Sequence, residues 1–76
     1  MTSVFLPELG EGITEAVVAC WHVKVGQAVH ADDDLVEVVT DKATFHVPVS
    51  QNGVIQDLLV AEGQVARVGQ PLVVLR

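Results

Sequence analysis

Residues 15–39 align without a gap onto residues 52–76 at a constant offset of 37 (63 − 26), so the 76-residue chain carries two copies of one pattern. The identities are Val17/Val54, Val23/Val60, Gly26/Gly63, Gln27/Gln64, Leu35/Leu72 and Val36/Val73. Three of them are valine on valine in a valine-rich chain, so the Gly-Gln pairs and the leucines carry the match. A chain of this length has room for one core only. The copies are therefore halves of a single domain spanning residues 1–76.

Each half reads as strands. No window of eleven residues keeps apolar side chains at i, i+3, i+4 and i+7 without meeting glycine, proline or a run of valines. Half of the residues are apolar, but only Phe5, Trp21 and Phe45 are aromatic. The core is left to Val, Leu, Ile and Ala, a composition that suits the packing of sheets. Strands are predicted near 3–6, 17–23, 28–30, 35–39, 43–47, 54–60, 65–67 and 72–75, separated by ELGEG, KVGQ, ADDD, TDKA, VSQNG, AEGQ and VGQP. Eight short strands in two similar halves predict an all-β fold, a flattened barrel or sandwich of two four-stranded antiparallel sheets with a pseudo-two-fold axis. Trp21 is expected in the core with Ala19 and Val23, because its partner in the repeat is Leu58, with Cys20 on the other side of the strand.

The repeat breaks in one place. If Leu6-Pro7 corresponds to Val47-Pro48, nine positions separate Pro7 from Ala16 where five separate Pro48 from Gly53, so the first half holds about four extra residues within ELGEGITE. A glycine-rich loop added to one half of a symmetric frame is a candidate functional element. The junction of the halves, TDKA at 40–43, is predicted to be a hairpin turn, with the Asp41 carboxylate bonding the following backbone and Lys42 at the tip. Val36, Val38 and Val39 lead in and Ala43, Phe45 and Val47 lead out, anchoring the strands while the lysine projects into water. Lysine is rare in this chain, with Lys24 the other, and Lys42 sits at the centre of the repeat between short neighbours. An exposed lysine keeps its proton at neutral pH and is a poor unaided nucleophile. The position suits modification by another enzyme better than Schiff-base catalysis. Lys24, before a turn, is read as merely solvated.

Ten acidic residues against four basic ones give a net charge of −6, which argues against nucleic acid and suits a basic protein partner. Cys20 is the lone cysteine and forms no internal disulfide, so no oxidising compartment is implied. No apolar run nears the roughly 20 residues needed to cross a bilayer, so no membrane partner is expected. MTSVFLPELGEG lacks the basic-then-apolar order of a secretory leader. His22, His30 and His46 have no cysteine partner and no metal-site spacing; they are read as solvated, and no metal site is predicted. The run Asp32-Asp33-Asp34 aligns with residues 69–71 and is read as a turn. Neither a Ser/His/Asp arrangement nor a full G-x-G-x-x-G is present, so no catalytic residue is assigned.

Taken together, LPELGEGITEA, WHVKVGQAV, VVTDKATFHVPV and the later GVI, AEGQ and VGQPL resemble the lipoyl domain of the dihydrolipoamide acyltransferase component of 2-oxo acid dehydrogenase complexes, a branch of the biotinyl/lipoyl attachment family. The resemblance covers essentially the whole chain, and its most specific element is Asp41-Lys42-Ala43. It implies lipoate in amide linkage on Lys42, with Asp41 and Ala43 as the flanks of the turn. It implies a carrier and not a catalyst. A lipoylating enzyme attaches the group, which the thiamine-diphosphate decarboxylase component reductively acylates; the acyl group passes to coenzyme A at the acyltransferase core, and dihydrolipoamide dehydrogenase reoxidises the dithiol. The resemblance also implies that Glu8, Leu9, Gly10, Glu11, Gly12, Ile13, Thr14 and Glu15 lie beside the lysine turn and help the decarboxylase recognise its own domain. Glu8, Glu11, Glu15 and Asp41 would then form an acidic rim facing a basic partner. The ELGEGI form leans toward pyruvate or branched-chain complexes. The expected setting is the N-terminal part of a longer acyltransferase chain, in a bacterial cytoplasm or the mitochondrial matrix. Gln27 and Gln64 depart from the acidic residue that often follows the turn glycine.

Three other readings compete. A biotinyl carrier usually has methionine on both sides of its lysine and a thumb-like insertion, neither of which is present here. A glycine-cleavage carrier is longer and has added helices. An unmodified module of the same fold, acting as a structural or interaction element, has no need of Lys42.

Overall fold

Valine-rich segments separated by glycine- and aspartate-containing turns become strands throughout the computed structural model, which describes residues 2–76. In chain order they are β1 (Thr2–Phe5), β2 (Glu15–Trp21), β3 (Ala28–Val29), β4 (Asp34–Val39), β5 (Thr44–Pro48), β6 (Gly53–Leu58), β7 (Val65–Arg67) and β8 (Pro71–Leu75). All eight predicted strands are present, with ends displaced by no more than two residues. They form two antiparallel four-stranded sheets in the orders β1-β8-β6-β3 and β5-β4-β2-β7. Each sheet draws two strands from each half, and the repeat maps β1, β8, β6 and β3 onto β5, β4, β2 and β7. Neither half can therefore complete a sheet alone. The sheets stay separate, so the architecture is a sandwich and not a closed barrel.

The symmetry extends to the irregularities of the ladders. Pairing skips Leu35 between Asp34 and Val36, and Leu72 between Pro71 and Val73 (35 + 37 = 72). It also skips Ala19 on β2 and Gln56 on β6 (19 + 37 = 56). An extra residue in one strand upsets the inward–outward alternation. Leu35 and Val36 are consequently buried in succession, as are Leu72 and Val73. This is why the Leu-Val pair recurs in the repeat. The bulge at Ala19 also corrects the expectation for β2: Ala19 is exposed, and Trp21 is half-buried against the edge of the core. The indole N–H of Trp21 donates to the Val60 carbonyl at 2.8 Å, and its backbone N–H donates to the Glu62 carboxylate at 3.0 Å. Val23 is buried as expected, and Cys20 is half-buried.

Register also corrects the alignment of the first strand. Val4 pairs with Val73 and Phe5 with Pro71, as Val47 pairs with Val36 and Pro48 with Asp34. Val47 is thus the equivalent of Val4, at an offset of 43 (47 − 4), and Leu6 is the equivalent of Val49. Hydrogen bonds agree: the N–H of Leu6 donates to Gln70 O at 2.9 Å and that of Val49 to Asp33 O at 2.8 Å. The two prolines are not counterparts. The loop of the first half is longer by six residues (43 − 37) and not four.

The turns show why glutamine serves at both repeat positions. The Gln27 and Gln64 side-chain carbonyls accept the backbone N–H groups of Lys24 and Ala61, at 3.1 and 2.9 Å. A neutral amide oxygen is sufficient to close these turns, so the missing acid costs no structure. Asp33 and Gln70 do the same for His30 and Arg67, at 2.9 and 3.0 Å. Asp32 holds φ 73 where Gly69 holds φ 89, a left-handed conformation that aspartate tolerates better than most residues. Asp32 and Asp33 therefore lie in a turn, as predicted, while Asp34 opens β4. Between the sheets lies one core of Val, Leu, Ile and Ala, and among the described residues no polar or charged one is buried in it.

Candidate functional site

β4 and β5 run as a hairpin whose last pair is Val39 with Thr44, leaving residues 40–43 as the turn. Backbone closure comes from the Thr40 N–H donating to Ala43 O at 2.9 Å. The Thr40 hydroxyl then ties the turn from one side: it donates to Ala43 O and accepts the N–H groups of Lys42 and Ala43, each at 3.1 Å. Asp41, expected in that role, makes no such bond through its carboxylate. A threonine hydroxyl one position earlier reaches the same backbone groups, a local motif that serine and threonine share with aspartate. Below the turn the hairpin is held by Val36, Val38 and Val47, all at most 2% exposed. Val39 is 37% exposed and Ala43 is exposed, so on β4 the buried anchoring begins one residue further from the tip than expected, and on β5 it begins with half-buried Phe45 and is complete only at Val47.

Lys42, Asp41 and Ala43 are all exposed. Among the described residues the ion pairs are His30 with Asp33 and His46 with Glu37, so the Lys42 amine is committed to no carboxylate. It stands at the tip of the tied turn, with the Asp41 carboxylate as its sequence neighbour, and Lys42 is not among the residues lining the adjacent groove.

The six-residue insertion lies at this same end of the sandwich. Val17 pairs with Val39, and continuing the antiparallel register brings Glu15 opposite Asp41 (17 + 39 = 15 + 41), where both line one groove. The loop is a built structure. Leu9 packs against the core, Ile13 N–H donates to Gly10 O at 3.2 Å, and Thr14 O accepts the Val68 N–H at 3.0 Å. Gly12 takes φ 80, which disfavours any side chain there, and a Cβ on Gly10 would stand 3.3 Å from Ile13 Cδ1. Glu8, Glu11 and Glu15 are exposed, as expected for a rim. Arg67, however, pairs with Glu15 across β7 and lines the loop groove with Glu8 and Glu11, so the rim is not uniformly acidic.

The histidines divide. His30 stands in its turn beside Asp33, 3.8 Å away, as a solvated residue should. His22 and His46 do not behave as scattered residues: with Glu37 they bring ligand-type atoms within 4.8 Å of one another on the outer face of the β5-β4-β2 sheet. Linear spacing hides this trio, whereas the pairing of Glu37 with His46 displays it.

Residues 2–75 match the Biotin_lipoyl family, described as "Biotin-requiring enzyme". Over 68 residues the chain is 41% identical to the dihydrolipoyllysine-residue acetyltransferase component of the pyruvate dehydrogenase complex of Staphylococcus aureus, and equally to that of Staphylococcus epidermidis. The match takes in 90% of this chain but spans only 16% of the length of those curated relatives. Among solved structures, the lipoyl domain of the 2-oxoglutarate dehydrogenase complex from Azotobacter vinelandii superposes with a TM-score of 0.77 at 33% identity, covering 100% of this chain and 96% of that one.

Proposed function

Because this chain belongs to the biotin/lipoyl attachment family and is a lipoyl domain within it, we propose that Lys42 bears lipoate in amide linkage through Nζ and that the domain acts as an acyl carrier. The observation that carries this reading is the exposed, unpaired Lys42 at the tip of a hairpin tied by Thr40. The residues present fit the attached group. Asp41 and Ala43 are short enough to leave the amine open, and the anchored strands beneath define where it stands. On amide formation Nζ gives up a proton and its charge, which leaves the turn without a cation to desolvate when the arm enters another protein. When attached, lipoate supplies a dithiolane that takes up an acyl group with reduction, yields it to coenzyme A and is reoxidised.

The rest of the chain contributes presentation and recognition. The lipoylating enzyme reads the turn, and the loop of residues 8–14 with Glu15 and Asp41 is the face met by the thiamine-diphosphate decarboxylase. The parent is an acyltransferase chain, served also by dihydrolipoamide dehydrogenase, in a bacterial cytoplasm or the mitochondrial matrix. A pyruvate or branched-chain complex fits the ELGEGI loop, and the staphylococcal relatives favour pyruvate. Coexpression with a lipoylating enzyme, read by intact mass spectrometry, is expected to add one lipoyl group per chain and none to Lys42→Ala. A biotin adduct, or an unmodified wild type under those conditions, overturns the reading.

A further inference from the structure

The His22, Glu37 and His46 side chains converge from β4, β5 and the residue that follows the neighbouring β2. Glu37 lies on β4, His46 pairs with it on β5, and His22 follows directly after β2, its backbone N–H held by Leu35 O at 3.0 Å. The ligand-type atoms of all three stand within 4.8 Å of one another. His46 Nδ1 and a Glu37 carboxylate oxygen are already 3.6 Å apart. Bonds of about 2.1 Å to a tetrahedral Zn²⁺ require ligand atoms about 3.4 Å from one another. One edge is thus nearly formed, and His22 has to close by little more than an ångström. His46 is 62% exposed and Glu37 31%, so the side chains are free to make that adjustment while the sheet holds their backbones in place.

The repeat supplies an internal control. The corresponding positions of the other sheet are Leu59 (22 + 37), Val74 (37 + 37) and Ser3 (46 − 43), none of which carries an imidazole or a carboxylate. The same framework therefore forms without this chemistry, and the His-Glu-His trio is not a demand of the fold. Cys20, paired with Glu37 on its other side, directs its thiol to the Trp21 carbonyl at 3.6 Å and stays outside the trio.

We infer that His22, Glu37 and His46 form a surface binding site for a divalent transition-metal ion of the Zn²⁺ type. Two imidazoles and one carboxylate supply three ligands, and water fills the remaining position, as in open three-ligand sites. Imidazole donors select Zn²⁺, Cu²⁺ and Ni²⁺ over Mg²⁺ and Ca²⁺, which prefer oxygen. Bound metal would cross-link β2, β4 and β5 about 13 Å along the hairpin from Lys42. The inference stands apart from the assignment of lipoate, since none of the three residues belongs to the attachment turn.

Calorimetric titration of the unlipoylated chain with ZnCl₂, against His22→Ala, Glu37→Gln, His46→Ala and the control His30→Ala, tests it. One ion per chain is expected, unaffected by millimolar Mg²⁺. Each of the first three substitutions should weaken binding by at least the 10- to 100-fold typical of losing even an outer-shell partner, and His30→Ala should change nothing. All four positions are at the surface, and circular dichroism of each variant confirms that it is folded. Zinc substoichiometric to protein should also shift the imidazole NMR signals of wild-type His22 and His46 and leave His30 in place. Absence of saturable binding, binding that survives His46→Ala or Glu37→Gln, or an equal loss in His30→Ala overturns the inference.

Discussion

Replacing Thr40 by valine keeps the volume and β-branching of the side chain and removes one hydroxyl. That hydroxyl makes three hydrogen bonds in the turn: one donated to Ala43 O, and one accepted from each N–H of Lys42 and Ala43. All three lie at the surface, so the freed backbone groups regain water and no burial penalty arises. Each bond is then worth about 0.5 kcal/mol, the lower end of the usual range. The sum is about 1.5 kcal/mol, which for a domain of this size lowers Tm by roughly 6–12 °C. If the unmodified turn must be ordered again on the lipoylating enzyme, the same energy slows attachment about tenfold. Thr40→Ser retains the hydroxyl and should recover most of both effects. Thermal melts by circular dichroism and a mass-spectrometric time course of lipoylation read the two quantities on the same samples. A Thr40→Val protein that melts and is modified like wild type would refute the reasoning, as would a Thr40→Ser protein that falls just as far.

Other consequences follow from the repeat and the loop. Leu35 and Leu72 are equivalent, fully buried residues at matching bulges, so alanine at either should cost about 2–5 kcal/mol; urea denaturation should give similar losses for the two, whereas a large disparity would mean that the halves do not share the load. Gly63 holds φ 89 with nothing within 4 Å of an added Cβ, so Gly63→Ala is charged only with backbone strain of about 1–2 kcal/mol. Gly63→Asn should lose less, as Asp32 at φ 73 indicates, and equal melting temperatures for the two variants would contradict this. Exchanging residues 8–15 for the loop of a domain from another complex should slow reductive acylation by the proposed decarboxylase partner and leave lipoylation nearly intact. Equal loss of both activities would show that the loop does not serve recognition.

Much of this fold was legible because its information is local. Valine and glycine alternate on the scale of a strand and a turn, so eight strands and the turn at residues 40–43 follow from composition and spacing. What escaped depends on hydrogen-bond register. The prolines at 7 and 48 look like landmarks of the repeat, but β1 and β5 are aligned by their partners in β8 and β4, which set Val4 against Val47. Ala19 was placed inward by strict alternation, and a bulge turned it out. Asp41 and Thr40 are both capable of tying a turn, and only the geometry of the hydroxyl decides between them. Lys42 stands out in the sequence as the candidate attachment residue because it is an isolated cation at the midpoint of a duplicated sequence. His22, Glu37 and His46 do not stand out, since 15 and 9 residues separate them along the chain (37 − 22 and 46 − 37) and only sheet pairing joins them.

Position is the proposed reason for modification at Lys42: the hairpin holds its amine exposed at the tip of a tied turn. Lys24 is a natural comparison, since it is also exposed and also lies in a hydrogen-bonded turn, closed by Gln27. Peptide-level mass spectrometry of the fully lipoylated wild-type chain distinguishes the two. The lipoyl group should be found on Lys42 alone, with Lys24 unmodified. Modification of Lys24, whether instead of Lys42 or in comparable amount, would contradict the claim.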